Sequence, residues 1–244
     1  MDRKAGKRGS VTGFLSERML RTAAMVSRGN RTADVGCDHA YTSVYLVEQQ
    51  IAPQVVAMDV NAGPLARAKE NVERFGREEQ IQLRLSDGLE ALLPGEADTV
   101  LIAGMGGPLM ERILSAAPEV LASVKELVLQ PQSELTEFRR FLHSIGFRIT
   151  QEDMLREDGK YYVIFRAEPG QEEAWSEEEY LYGKRLRQEA YPVLREFLEE
   201  EYRKLCEMSE ALLHSGTEKA VGRRAEVLLR MKYNEAMRTK LAER

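Results

Sequence analysis

Short apolar, β-branched runs alternate with stretches of helical periodicity through the first two thirds of the chain. The runs fall at Thr32–Val35, Val55–Asp59, 81–86, 99–103 and 127–130, then at 147–155 and 161–166. Strand-length runs separated by amphipathic helices are the rhythm of a doubly wound α/β sheet with helices on both faces. Ser16 precedes Met19, Leu20, Ala23 and Ala24, which share one helical face, so its hydroxyl is placed to cap that helix, with Gly29 as a left-handed stop. Asn61 is expected to cap a second helix that buries Leu65, Ala68, Val72 and Phe75 and ends at Gly76. Asp158-Gly159 lies between the last two runs, and this dipeptide favours a tight hairpin. The sheet is therefore expected to end in an antiparallel pair.

After Pro169-Gly170 the composition shifts to Glu, Arg and Leu, opening with Ser176-Glu177-Glu178-Glu179, a capping-box pattern. Leu186, Ala190, Val193, Phe197, Leu205, Met208 and Leu212 keep steps near three and four, as do Val221, Ala225, Leu228 and Met231 beyond a break at Ser215-Gly216. Two antiparallel, coiled-coil-like helices follow from this pattern, the first kinked at Pro192. The expected organisation is a doubly wound, Rossmann-like α/β domain over residues 1–169 and a helical hairpin or coiled-coil domain over 170–244.

A chain of 244 residues, 43% hydrophobic, can bury a full α/β core and still carry a smaller appendage. Cys37 and Cys206 are too few for a disulfide framework, and with no secretory or membrane-length apolar segment they point to the cytoplasm. Three scattered histidines give a metal site no support. A net charge of -5 argues against bulk attraction to nucleic acid, but the ends differ from the middle. Arg3, Lys4, Lys7, Arg8, Arg18, Arg21, Arg28 and Arg31 face only Asp2 and Glu17 in the first 31 residues, and 219–244 is also rich in Lys and Arg. Such stretches are either solvated faces or phosphate contacts; Arg223, Arg224 and Arg230 are the candidates for the second role.

In an open α/β sheet ligands bind beyond the carboxyl ends of the strands. The first strand ends in Asp34-Val35-Gly36-Cys37-Asp38-His39. A nicotinamide fold would place G-x-G-x-x-G here, against pyrophosphate. This turn lacks the second and third glycines and is acidic, which suits the cationic sulfonium and ammonium of S-adenosylmethionine. Asp59, at the end of the second strand and followed by Val60, is placed to bind ribose hydroxyls. Ser86-Asp87-Gly88 offers an acceptor for an adenine amino group. Ala103-Gly104-Met105-Gly106-Gly107 leaves room for a flat base or the donor's methionine tail. Cys37 reads as a small turn residue rather than a nucleophile, and His143 and His214 as structural or solvent-facing.

Leu15-Ser16-Glu17-Arg18, Asp34 to Tyr41, Gly63-Pro64-Leu65, Asp87-Gly88-Leu89, Ile102 to Gly107 and Leu129-Gln130-Pro131-Gln132 together resemble the bacterial tRNA (adenine-N1)-methyltransferases that act on adenine 22, the TrmK family. The resemblance is dense over about residues 14–168 and loose in the tail. It implies a methyltransferase sheet with a C-terminal helical coiled-coil domain, S-adenosylmethionine as cofactor and tRNA as partner. Asp34, Gly36, Cys37, Asp59, Val60, Asp87, Gly88, Ala103, Gly104 and Met105 then fall at the cofactor, Gly106 and Gly107 at the substrate. Asp38 is placed to stabilise the adenine cation that methylation creates, with His39 and Tyr41 holding the base; the alternative is that Asp38 and His39 only close the turn and Tyr41 packs. Two departures stand out: Thr42-Ser43 where Leu-Pro is usual, and Gln132 where Asn is usual. A small-molecule methyltransferase and a non-catalytic tRNA-binding protein stay open as rivals on the same fold. A monomer is the default expectation.

Overall fold

The computed structural model describes residues 10–188, 191–214 and 217–243. Arg3, Lys4, Lys7, Arg8, Ala190 and the break at Ser215-Gly216 lie outside them. Seven strands, β1 (Thr32–Val35), β2 (Val55–Asp59), β3 (Ile81–Leu85), β4 (Thr99–Met105), β5 (Glu126–Pro131), β6 (Phe147–Glu157) and β7 (Lys160–Pro169), form one sheet in the order β3-β2-β1-β4-β5-β7-β6. The first five are parallel and β7 runs antiparallel between β5 and β6. Asp158 and Gly159 turn the β6–β7 hairpin with φ of 49° and 75°, the two positive values a type I′ turn requires. The strand order reverses between β1 and β4, which puts the ligand crevice beside them.

Alternation along the strands feeds two cores. Ala33, Val35, Met58, Leu127, Leu129 and Phe165 face α4 (Gly107–Ser115), α5 (Pro118–Leu121) and α6 (Leu135–Ser144). Ala57, Leu101, Val128 and Ile164 face α1 (Glu17–Ala24), α2 (Tyr41–Glu48) and α3 (Ala62–Phe75). Ser16 caps α1 through the Met19 amide, and Gly76 ends α3 at φ 65°. Gly29 also has positive φ, but α1 has already ended at Ala24, so this glycine turns the loop into β1. Asn61 occupies the first cap position of α3 without a side-chain cap bond; its own amide donates instead to Asp59.

The tail differs from the two-helix expectation. Its described residues form α7 (Glu177–Tyr182), α8 (Lys184–Gln188), α9 (Pro192–Leu213) and α10 (Glu218–Ala242), of which α9 and α10 make an antiparallel hairpin. Pro192 opens α9 instead of kinking a longer helix, because its missing N–H costs nothing at the first helical position. The buried seam is also rotated from the apolar pattern. Ala220, Val227, Asn234 and Leu241 are buried at heptad spacing, while Val221 and Leu228 are exposed. Asn234 lies at the centre of the seam because its amide donates to the Leu198 carbonyl and the Glu201 carboxylate, a polar position that apolar periodicity does not reveal.

Residue 170 marks a change from sheet to helices, not a break in packing. Trp175, Tyr180, Tyr182, Leu186, Leu194, Leu198 and Met237 share one core with Phe138, Met154, Val163 and Phe165. Across it, the fully buried Arg139 on α6 donates to Glu152 on β6 at 2.8 Å and to the Tyr180 carbonyl at 2.8 Å, and Glu152 also accepts the Arg185 amide. The ion pair therefore holds the sheet edge to the start of the helical tail.

Candidate active site

A cleft of about 340 Å³ opens at the carboxyl ends of β1 and β4, lined by Phe14, Arg18, Met19, Asp34, Gly36, Cys37, Asp38, His39, Tyr41, Ala103 and Gly104, among others. Its shape begins in the β1–α2 turn. Gly36 has φ +73°, a backbone that favours glycine, and a Cβ there would lie 2.2 Å from the Met105 methyl, so that flexible side chain would have to move aside. Asp38 and Ala40 hold positive φ without being glycine, strain that the surrounding bonds maintain. The amides of Gly36 and Cys37 donate to the Met58 carbonyl, and that of Asp38 donates to the Asp59 carboxylate at 3.2 Å.

Asp34 is buried at the foot of this turn. Burial pushes its carboxyl up to about 6, the Ser43 hydroxyl that donates to it pulls the other way, and the nearby negative charge of Asp59 raises it further. Ser43 belongs to the Thr42-Ser43 departure from the family pattern, and its hydroxyl is the donor to Asp34. Cys37 is buried beside the same acids and its thiol is pushed far up, first by burial and then by Asp34, Asp59 and Asp38, which suits an inert turn residue. Asp59 accepts from Asp38 and Asn61 amides, so it organises the turn and also lies at the end of β2.

Val60 and Asp87 line a second hollow with Leu85, Ser86, Glu90 and Ala91, which shares no lining residue with the cleft. Val60 is exposed there, and Asp87 pairs with Arg112 at 3.3 Å on the surface. Gly88 takes φ +59° and leaves no space for a Cβ, which would meet Ile113 at 2.9 Å. At β4, Gly104 also has positive φ and its Cβ position is open to ordinary contact with Arg18 and Gln132. Gly106 and Gly107 begin α4 against the β5–α6 loop, where a Cβ on Gly107 would come within 2.7 Å of the Ser133 carbonyl.

At the rim, Asp38 is exposed, with its carboxylate 3.5 Å from His39 Nε2. The His39 and Tyr41 rings lie nearly parallel with centroids 5.8 Å apart, and Tyr41 stacks on Phe14 at 5.0 Å. Phe14, Arg18 and Gln130 are contributors that sequence reasoning did not select. Gln130 Oε1 accepts from Arg18 and from the Gly104 amide, joining α1, β4 and β5. Arg18 and Gln130 did sit inside the segments that carry the family resemblance; Phe14, one residue outside, had no local signal.

The charge expectation fares differently. Arg18 pairs with Glu157, Arg21 with Glu17 and Asp153, and Arg31 with Asp98, while Arg28 donates to the Gln49 carbonyl. The described part of the first basic stretch is thus occupied within the fold. Arg230 donates twice to Glu201 and lies over the Tyr182 ring, holding the hairpin to α7. Arg224 donates to the Ser209 carbonyl, and Arg223 is exposed beside Glu226. His143 bridges Tyr180 and Glu172 in the tail junction. Among the described residues no three His, Cys, Asp or Glu side chains group to hold a metal, and no helix is long and apolar enough to cross a membrane.

Residues 32–235 match the family model of tRNA (adenine(22)-N(1))-methyltransferase, TrmK. The Bacillus subtilis (strain 168) tRNA (adenine(22)-N(1))-methyltransferase is 38% identical over 160 residues, which is 66% of this chain and 67% of the relative. The crystal structure of B. subtilis TrmK superposes with a TM-score of 0.83 at 31% identity, covering 91% of this chain and 98% of that one. A Streptococcus pneumoniae relative solved with S-adenosyl-L-methionine gives 0.81 at 34% identity over 91% and 99% of the two chains. Mycoplasma capricolum TrmK in complex with S-adenosyl-homocysteine gives 0.81 at 25% identity over 93% and 99%.

Proposed function

The chain belongs to the tRNA (adenine(22)-N(1))-methyltransferase family, and we propose from that premise that the cleft between β1 and β4 is where its methyl transfer takes place. The enzyme transfers a methyl group from S-adenosylmethionine to N1 of adenine 22 in tRNA. The observation that carries the placement is Asp34, a buried carboxylate at the foot of the cleft that makes no ion pair among the described residues. A positively charged donor offsets the cost of ionising it, which a pyrophosphate would only increase.

When bound, S-adenosylmethionine supplies a methyl group on a positively charged sulfur that leaves as a neutral thioether. Asp34 and the Gly36 turn hold its cationic end, Asp59 and Val60 its ribose side, Asp87 its adenine, and Ala103, Gly104 and Met105 the wall opposite. Because N1 of adenine carries an in-plane lone pair, the reaction needs alignment more than a general base, and orientation can supply roughly 7–11 kcal/mol of a barrier. His39 and Tyr41 fix the base plane. Asp38, exposed at the rim, sits where a carboxylate stabilises the positive charge that develops on the purine. The target must leave its stack first, at a cost of about a few kcal/mol. On the tail, Arg223 is the backbone contact, since its surface pair with Glu226 is weak enough for a phosphate to displace. The enzyme works in the cytoplasm, where its free Cys37 and Cys206 stay reduced.

Incubation with tRNA and labelled donor, followed by nucleoside mass analysis, is expected to yield 1-methyladenosine that disappears when position 22 is not adenine. Methylation independent of RNA would instead select a small-molecule enzyme. Asp38→Asn is expected to lower kcat about 10-fold or more with donor affinity held within about twofold. Equal losses in both would move Asp38 to the cofactor.

A further inference from the structure

The 3-10 turn Val11–Phe14 is built into the rim of the cleft. Ser10 caps it, the Val11 side chain is fully buried, and the Val11 amide donates to Glu48 on α2 at 3.0 Å. Phe14 is thereby held with its ring stacked on Tyr41 and edge-on to Phe75 at 6.0 Å, yet it stays 46% exposed. A single exposed Phe is ordinary. This one lines the reaction cleft and extends the His39–Tyr41 stack outward, and a cation lies against it. The Arg74 guanidinium is 5.2 Å from the Phe14 centroid and 5.6 Å from that of Phe75. Arg74 is exposed and makes no ion pair among the described residues. Arg67, two helical turns earlier on the same face of α3, is also exposed and unpaired among them, about 10 Å away along the helix. Most other arginines near the cleft are already held by carboxylates.

With Tyr41 stacked on the Phe14 ring and the exposed Arg74 guanidinium lying over it, a nucleotide fits where Arg74 swings off the ring: the ring takes the base and the freed cation takes its phosphate. We propose that Phe14 and Arg74 clamp the tRNA nucleotide that is methylated, Phe14 stacking its adenine at the mouth of the cleft and Arg74 binding its phosphate. The clamp rests on the tRNA methylation assigned above. Phe14 adds the outermost ring to the base-holding stack, and α3, which follows directly from Asp59, brings the phosphate contact to the donor site. Phe14 lies at the mouth of the cleft and Arg74 does not line it, so the clamp is expected to act mainly on RNA.

The test uses the full chain with tRNA and S-adenosylmethionine. Phe14→Ala is expected to reduce kcat/KM for tRNA by roughly 5- to 150-fold, the range for loss of one base–aromatic stack, with donor affinity unchanged by calorimetry. Phe14→Trp should restore activity and Phe14→Leu should not, since leucine replaces packing volume but not the π-face. Arg74→Ala should weaken tRNA binding and make its dependence on log salt shallower by about one. Rescue by Leu as complete as by Trp, or an unchanged salt slope in Arg74→Ala, overturns the clamp while wild-type 1-methyladenosine formation leaves the assigned reaction standing. A wild-type enzyme that forms no 1-methyladenosine in tRNA overturns that reaction and the clamp with it.

Discussion

Replacing Asp34 by Asn tests whether the cleft is built around a missing positive charge. The Asp34 carboxyl is pushed from 3.8 up to about 6, chiefly by burial, so keeping it ionised in the empty protein costs stability. Two pKa units correspond to about 3 kcal/mol at pH 7.5. Asn keeps an oxygen for the Ser43 hydroxyl and removes the charge, but its amide needs a partner on the cleft side, which takes back part of the gain. The ligand-free variant should therefore be more stable than wild type by about 1–3 kcal/mol, or roughly 2–12 °C in Tm for a chain of this size. Because the folded pKa is raised, the penalty is complete above about pH 6 and fades as pH falls toward 3.8, so the two melting curves should converge on acidification. Donor affinity should move the opposite way and fall at least about 10-fold. Thermal unfolding from pH 4 to 8, paired with calorimetry of S-adenosylmethionine binding, reads both effects. A variant no more stable than wild type at pH 7.5, or a gap that does not close on acidification, would refute the assignment of Asp34 as a buried charge awaiting its counterion.

Ser43→Ala removes the hydrogen bond that opposes the upward shift of Asp34, so the pH at which donor affinity rises, near 6 in wild type, should move higher; calorimetry across pH 5–8 checks it. Gly36→Ala should weaken donor binding about 5- to 30-fold, because the residue is forced into left-handed backbone at about 1–2 kcal/mol and the Met105 methyl is pushed aside; adding Met105→Ala should relieve the contact and restore binding only in part, as calorimetry would show. Arg139→Met leaves Glu152 buried without its cation and should cost about 3–5 kcal/mol in urea unfolding, whereas Arg139→Met combined with Glu152→Leu should recover most of that loss.

The strand-end chemistry was readable before any fold was known because each piece is local. Asp34, Asp59 and Gly104 lie in the last residues of their strands and Gly36 and Asp87 just beyond theirs, and a doubly wound sheet brings the carboxyl ends of its parallel strands to one edge whatever fills the loops between. Asp158-Gly159 fixed its hairpin for the same reason: two adjacent residues tolerate the positive φ that the turn requires. Ser16 and Gly76, as helix ends, also needed nothing beyond their neighbours.

Partners distant along the chain were decided only by packing. Nothing near Arg230 announces Glu201, 29 positions earlier, and nothing near Arg139 announces that Glu152 would be buried with it. A basic stretch therefore read as free charge until the fold supplied its carboxylates. The seam of α10 was misplaced because hydrophobic periodicity scores Asn234 as a surface residue, while two hydrogen bonds make its burial affordable. Phe14 is the clearest case: as a lone aromatic before a helix it has no meaning in one dimension, and it becomes part of the cleft only because Val11 and Glu48 tie its turn to α2, beside Tyr41. Propensity and turn chemistry act over a few residues and can be read along the chain, but a charge or a ring acquires its role from neighbours that only the folded structure brings within reach.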